Sequence, residues 1–181
     1  TLTPVSPPTN TPEAPITSPT IMSLHMLDPM NGWAISERYV LRTNNGGTSW
    51  SIALFESFAL GGYFTSPTRA WVMSNYAETG AGSLYRTTDG GANWTRYDVP
   101  FRGGYIQFLD DNNGFVLSGE PSGMQKHPVS LYQTSDGGAT WTLKYTNIPT
   151  APNPGASLPF SGHKSGMTFR DTTTGWVGGD Y

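Results

Sequence analysis

The side chains of this 181-residue chain that could do chemistry are carboxylates, histidines and a few arginines; with no cysteine, thiol nucleophiles, thiolate metal sites and disulfides are excluded. Asp89 and Asp136 recur in similar surroundings, and Asp110 and Asp111 are adjacent. Paired carboxylates of this kind are what general acid–base cleavage of a glycosidic bond needs. His25, His127 and His163 follow no metal-ligand spacing and form no His-x-x-x-His pair, so neither a metal nor a cofactor is expected. Lys126, His127, Phe160, His163 and Lys164 lie in the two longest stretches outside any repeat, 120–128 and 147–166, the latter with Gly162-His163-Lys164 as its tip. Long loops on a rigid scaffold usually carry binding residues. If the two project from one face, these five residues could grip an anionic or peptide partner.

What must position those residues is a repeat. Arg42-Thr43-Asn44-Asn45-Gly46-Gly47-Thr48-Ser49-Trp50 is echoed by Arg86-Thr87-Thr88-Asp89-Gly90-Gly91-Ala92-Asn93-Trp94 and by Gln133-Thr134-Ser135-Asp136-Gly137-Gly138-Ala139-Thr140-Trp141. Positions 45, 89 and 136 are 44 and 47 residues apart, the period of one four-stranded propeller blade. A second pattern keeps the same register. An aromatic recurs at Trp33, Trp71, Phe115 and Trp176, preceded by seven residues by Met26, Phe64, Phe108 and Phe169, and by five residues by Asp28, Ser66, Asp110 and Asp171. The unit reads as a strand ending in the apolar residue, a turn organised by Asp or Ser, and a strand opened by the aromatic. A third strand then runs into the Gly-Gly turn, and a fourth leaves through the Trp. Gly supplies the positive φ of such turns, and an Asp or Asn side chain accepts turn N–H groups. The Trp is large enough to fill the wedge between neighbouring sheets. On this reading Asn45, Gly46, Gly47, Trp50, Asp89, Gly90, Gly91, Trp94, Asp136, Gly137, Gly138 and Trp141 are structural. Asp110 is a turn residue, Asn93-Trp94-Thr95 is an incidental glycosylation sequon, and Arg42 and Arg86 bond turns. His25 is expected half-buried in a first strand.

Composition supports an all-β chain. Aromatic residues are 13% and charged residues 13%, while 22 Gly and 15 Pro make up about a fifth of the sequence; many turn formers and aromatics with few charges suit short strands joined by tight turns. A net charge of −3 with no Lys/Arg cluster argues against a nucleic-acid partner. No apolar run approaches the roughly 20 residues of a membrane span. Residues 1–20 hold six Thr, six Pro and two Ser with Glu13 as the one charge, and such a segment is expected to be an extended, disordered linker. A Thr/Pro stalk of this kind suits an exported protein held at a cell envelope or outside the cell.

Residues 21–181 resemble the Asp-box, or BNR, repeats of β-propellers. Coupled to the Asp-x-x-x-Gly-Trp element, the boxes are most similar to propellers related to photosystem II assembly and stability factors and their bacterial relatives. The resemblance implies a ring of about six to ten blades, commonly seven, with boxes remote from any active site. The divisions expected are 21–58, 59–102, 103–148 and a partial blade at 164–181, about three and a half blades. The remainder of the ring is expected from further chain or, failing that, from a partner chain. Asp boxes also occur in sialidases, but Phe101-Arg102-Gly103 is the nearest fragment to their Phe/Tyr-Arg-Ile-Pro motif. Xyloglucan-cleaving relatives place two Asp across a cleft between two propellers. The expected function is therefore a non-catalytic binding or scaffold propeller engaging a protein or a glycan through its loops. The alternatives are a glycoside hydrolase whose catalytic residues lie outside this chain, and a membrane-complex assembly factor of the photosystem type.

Overall fold

The computed structural model describes residues 15–55, 59–75, 82–119, 127–151, 154–155 and 157–180. Fourteen strands follow one another in it, and among the described residues no helix occurs. They form antiparallel meanders in which each strand bonds its sequence neighbour. Sheet 1 is β1 (Ser23–Met26), β2 (Gly32–Ile35), β3 (Tyr39–Thr43) and β4 (Ser51–Phe55); sheet 2 is β5 (Ala59–Phe64), β6 (Ala70–Asn75), β7 (Gly82–Thr87) and β8 (Thr95–Val99). Sheet 3 is β9 (Tyr105–Phe108), β10 (Gly114–Gly119), β11 (Val129–Thr134) and β12 (Thr142–Thr146), and β13 (His163–Phe169) pairs with β14 (Gly175–Asp180) as a hairpin. The chain divides into two compact units, Thr1–Asp98 and Val99–Tyr181.

Each sheet is held by two local devices. The first is the acidic turn between its first two strands. Asp28 accepts the N–H groups of Met30 and Asn31 at 2.7 and 2.8 Å, and Asp110 accepts those of Asn112 and Asn113, both at 2.7 Å. Asp171 does the same for Thr173 and Thr174, and the Ser66 hydroxyl does so for Thr68 and Arg69. The second is the Gly-Gly turn. A threonine two residues before the acid or amide organises it: the hydroxyls of Thr43, Thr87 and Thr134 accept the N–H of Gly47, Gly91 and Gly138, each at 3.0 Å, and donate to Asn45, Asp89 and Asp136. Those side chains in turn accept the N–H of Ser49, Asn93 and Thr140. The two devices are tied together, since Gly46, Gly90 and Gly137 donate to carbonyls of Met30, Thr68 and Asn112 in the acidic or Ser66 turn of the same sheet.

Packing between sheets uses the aromatic repeat. In the first unit Trp33 stacks on Phe64 (5.5 Å, 15°) and its indole N–H donates to Ser66 O at 3.0 Å. In the second unit Phe115 stacks on Phe169 (3.7 Å, 7°), and the Gln107 amide clasps Phe169 by bonding both its N–H and its C=O. Arg42 and Gln133, at one repeat position, each reach the following sheet. Arg42 lies over Trp33 and donates to Gly90 O, and Gln133 donates to Thr172 O. Trp94 shows why the pairing of β3 with β4 carries a bulge. Val40 faces Leu54 and Leu41 faces Ile52, so Ala53 is the extra residue; an unpaired bulge residue has its carbonyl free, and Ala53 O accepts the Trp94 indole N–H at 2.7 Å.

Five turn carboxylates sit below the ordinary range. The Asn31 side chain does this for Asp28, the Asn113 N–H for Asp110 and the Thr173 hydroxyl for Asp171. For Asp89 and Asp136 burial pushes upward, and hydrogen bonds led by the side chains of Asn93 and Thr140 outweigh it. A depressed folded-state pKa contributes stability that is complete above the unfolded value of about 3.9 and is lost as pH falls through the folded values. The melting temperature is therefore expected to be flat near neutrality and to drop steeply below about pH 4. Asp89→Asn, which leaves an Asn45-like turn, is expected to flatten that drop; an unchanged acid limb in circular dichroism melts would remove Asp89 from the explanation.

Candidate functional site

Among the described residues of sheet 3 the carboxylates lie at one end, in the turns that close β9 to β10 and β11 to β12. The other end, where β9 and β11 begin and β10 finishes, meets the start of β13. There a cleft of about 180 Å³ is lined by Gly104, Tyr105, Leu117, Gly119, His127, Pro128, Val129, His163 and Lys164. The insertion after β12 shapes it. Asn147 is 4% exposed, its side-chain oxygen accepts the Val129 N–H at 2.7 Å, and its amide donates to Pro159 O at 2.9 Å. The Tyr145 hydroxyl accepts the Leu158 N–H at 2.8 Å. One buried amide thus binds the insertion to the start of β11.

His127 and His163 come together on the cleft wall, their rings 5.2 Å apart and edge to face. The His127 N–H is fixed on Phe160 O at 3.0 Å. His163 opens β13 and its Nδ1 stands 3.9 Å from Asp180 Oδ1, too far for a hydrogen bond. Tyr105 is 42% exposed at the start of β9. Lys164 behaves differently from a surface cation. It is buried, its Nζ donates to the carbonyls of Pro159 (2.5 Å), Ser161 (2.7 Å) and Gly162 (2.9 Å), and burial pushes its pKa down. Its charge holds the loop closed. Replacing it, as in Lys164→Met, strips three carbonyls of a charged donor and is expected to cost about 2–3 kcal/mol in urea unfolding; a loss below about 0.5 kcal/mol would mean that water serves those carbonyls equally well.

Of the five residues singled out from sequence, His127, His163 and Lys164 line this cleft, Phe160 is half-buried behind it as a backbone partner, and Lys126 lies outside the described residues. His163 and Lys164 belong to a strand and not to a loop tip. His25 is exposed on β1 instead of half-buried, its ring tilted against Phe64 at 5.9 Å; β1 is the edge strand of sheet 1, with no further strand bonded beyond it. Asn147 and Gln107, which bind elements together over 18 and 62 residues, carried no sequence signal. The Asn93 amide of the sequon is bonded to Asp89 at 2.8 Å. Among the described residues no three His, Asp or Glu side chains approach closely enough to hold a metal ion. Five aspartates are engaged in turns, and the cleft lining offers imidazole edges, a tyrosine and glycine backbone, with the Asp180 carboxylate 3.9 Å from His163 beside it. Those are groups that hold a ligand by hydrogen bonds and ring contacts.

Comparison with solved structures gives a match to "YCF48 bound to D1 peptide", with a TM-score of 0.51 and 19% identity over 77% of this chain. The fold is a β-propeller. The chain spans 45% of the length of that structure, so its sheets are the blades of a partial propeller. No family model and no curated protein matches the sequence.

Proposed function

We propose that this chain is part of a non-catalytic, protein-binding propeller whose ligand seats in the cleft at His127, His163 and Tyr105. The observation that carries the reading is the separation of roles within blade 3. Among its described residues Asp110 and Asp136 are engaged in turns at one end, and the opposite end presents a cleft with exposed aromatic and imidazole groups. The matched propeller is described as bound to a peptide, which supports a protein partner in preference to a glycan and is compatible with an assembly role. The three Gly-Gly turns share one hydrogen-bond pattern and end in Trp50, Trp94 and Trp141, and this supports placing the repeats with the Asp-box propellers, in a ring of about seven blades. The Thr/Pro-rich leader supports export, with the propeller held off an envelope.

The test is binding of the chain to an immobilised peptide array and, in parallel, to a glycan array. Peptides are expected to be retained, and His163→Ala and Tyr105→Ala are each expected to weaken retention at least about fivefold, the effect of losing a principal contact in a small interface. Retention by glycans alone, or release of reducing sugar from oligosaccharides, would sink the proposal in favour of the hydrolase.

A further inference from the structure

Asn-Gly occurs three times in the sequence, at Asn31-Gly32, Asn45-Gly46 and Asn113-Gly114. Glycine has no side chain to shield its own N–H, so in such a pair the backbone nitrogen can reach the asparagine Cγ. The fold gives the three amides two different surroundings. In the acidic turns of blades 1 and 3 the amide donates to a carboxylate. Asn31 Nδ2 bonds Asp28 Oδ1 and Oδ2 at 3.2 and 2.9 Å, and Asn113 Nδ2 bonds Asp110 Oδ2 at 2.8 Å. Gly32 and Gly114 open β2 and β10 and are buried. In the Gly-Gly turn of blade 1 the partners are hydroxyls and an N–H instead. Asn45 Oδ1 accepts the Thr43 hydroxyl at 2.9 Å and the Ser49 N–H at 3.0 Å, while Nδ2 donates to Ser49 Oγ at 2.8 Å. Gly46 lies between strands β3 and β4, and its N–H is held on Met30 O at 2.9 Å.

We propose that Asn45 is a deamidation site, selected by the fold over Asn31 and Asn113, and that its aspartate product fits the folded turn. When the Gly46–Met30 bond opens, the Gly46 nitrogen gives its proton to water and adds to Asn45 Cγ. The Cγ–Nδ2 bond breaks, Nδ2 leaves as ammonia with a proton drawn from water, and a cyclic imide remains. Water then splits one of the two C–N bonds of the imide, giving aspartate or isoaspartate. The addition places negative charge on Oδ1, and donors already aimed at developing charge lower such a barrier. At Asn45 the Thr43 hydroxyl and the Ser49 N–H are in place for it. At Asn31 and Asn113 the adjoining carboxylate opposes it. The product is sorted in the same way. Asp136, at the repeat position of Asn45, accepts the Thr140 N–H at 2.9 Å and the Thr140 hydroxyl at 2.6 Å. Ser49 stands where Thr140 does, so an aspartate at position 45 needs only that the Ser49 hydroxyl turn from acceptor to donor. An aspartate at position 31 or 113 sets a second carboxylate against Asp28 or Asp110, and two such groups do not stay ionised together. Isoaspartate lengthens the main chain by one carbon and loses the turn.

The experiment incubates the full chain at mildly alkaline pH, folded and in urea, and follows the three asparagines by peptide mapping with mass spectrometry. In the folded chain Asn45 is expected to convert at least about tenfold faster than Asn31 or Asn113, a modest share of what one aimed donor is worth. In urea, where the turns are gone, the three are expected to convert at comparable rates. Asn45→Asp is expected to melt at the parent temperature near neutrality, and Asn31→Asp below it. Equal rates at the three sites in the folded chain overturn the proposal. So does an Asn45 that stays intact in the folded chain while the urea sample converts. A fall in melting temperature for Asn45→Asp as large as that for Asn31→Asp overturns the fit of the product.

Discussion

Trp33→Ala is expected to destabilise the first unit by about 3–5 kcal/mol, the usual cost of emptying a buried large aromatic site. Trp33 is 0% exposed, and four kinds of contact end on it. Its ring stacks on Phe64 and meets Trp94 edge to face at 6.2 Å, Arg42 lies over it at 5.8 Å, and its N–H bonds Ser66 O. Removing it opens a cavity at the seam of two blades and leaves a carbonyl without its donor, so relaxation of either sheet alone cannot close the gap. Trp176→Ala is the matched control. It deletes the same side chain at the same repeat position, but from a 57% exposed site, and is expected to change stability by no more than about 0.5 kcal/mol. Urea unfolding followed by circular dichroism checks both. Equal effects would show that burial at the aromatic position does not govern the stability of this fold.

That contrast also marks what the sequence could disclose. The acidic turns were legible because the partners of Asp28, Asp110 and Asp171 lie two and three residues away, and local geometry is all that such a bond requires. The Gly-Gly turns were legible for the same reason, and the recurrence of Thr43, Thr87 and Thr134 two residues before the acid or amide is the trace of their part in the turn. The recurrence of Arg42 signalled a turn-bonding role without naming which turn, since Gly90 belongs to the next blade and period alone does not say which sheets touch. The cleft is the least legible part. His127 and His163 are 36 residues apart and meet because Asn147 folds the insertion back on β11, an arrangement with no periodic trace. Lys164 was readable as a cation, but three carbonyls of its own loop take its charge, and those are set by a backbone course that composition does not fix. Ile16, which pairs with Trp50, was hidden among prolines that mark the leader as poor strand material, and one bridge is all that those prolines permit.

Two glycines at the same repeat position should separate backbone strain from packing. Gly47 and Gly91 both have positive φ, +83° and +87°, so an alanine at either must enter the left-handed region at a cost of about 1–2 kcal/mol. Beyond that they differ. A Cβ at Gly47 meets only the Trp50 ring, at 3.5 Å, which is ordinary contact. A Cβ at Gly91 falls 2.7 Å from the Ala53 Cβ, and Ala53 is the bulged residue whose carbonyl holds the Trp94 indole. Making room there means moving β4 away from the turn and stretching that 2.7 Å bond, an overpacking cost of about 1–3 kcal/mol. Gly47→Ala is therefore expected to lose about 1–2 kcal/mol and Gly91→Ala about 2–5 kcal/mol. The double variant Gly91→Ala/Ala53→Gly removes the colliding methyl and is expected to recover much of the difference, because neighbours in contact are non-additive. If the two alanine variants lost stability equally, or Ala53→Gly rescued nothing, the close approach of blade 2's turn to the β4 bulge would not be what demands glycine at position 91.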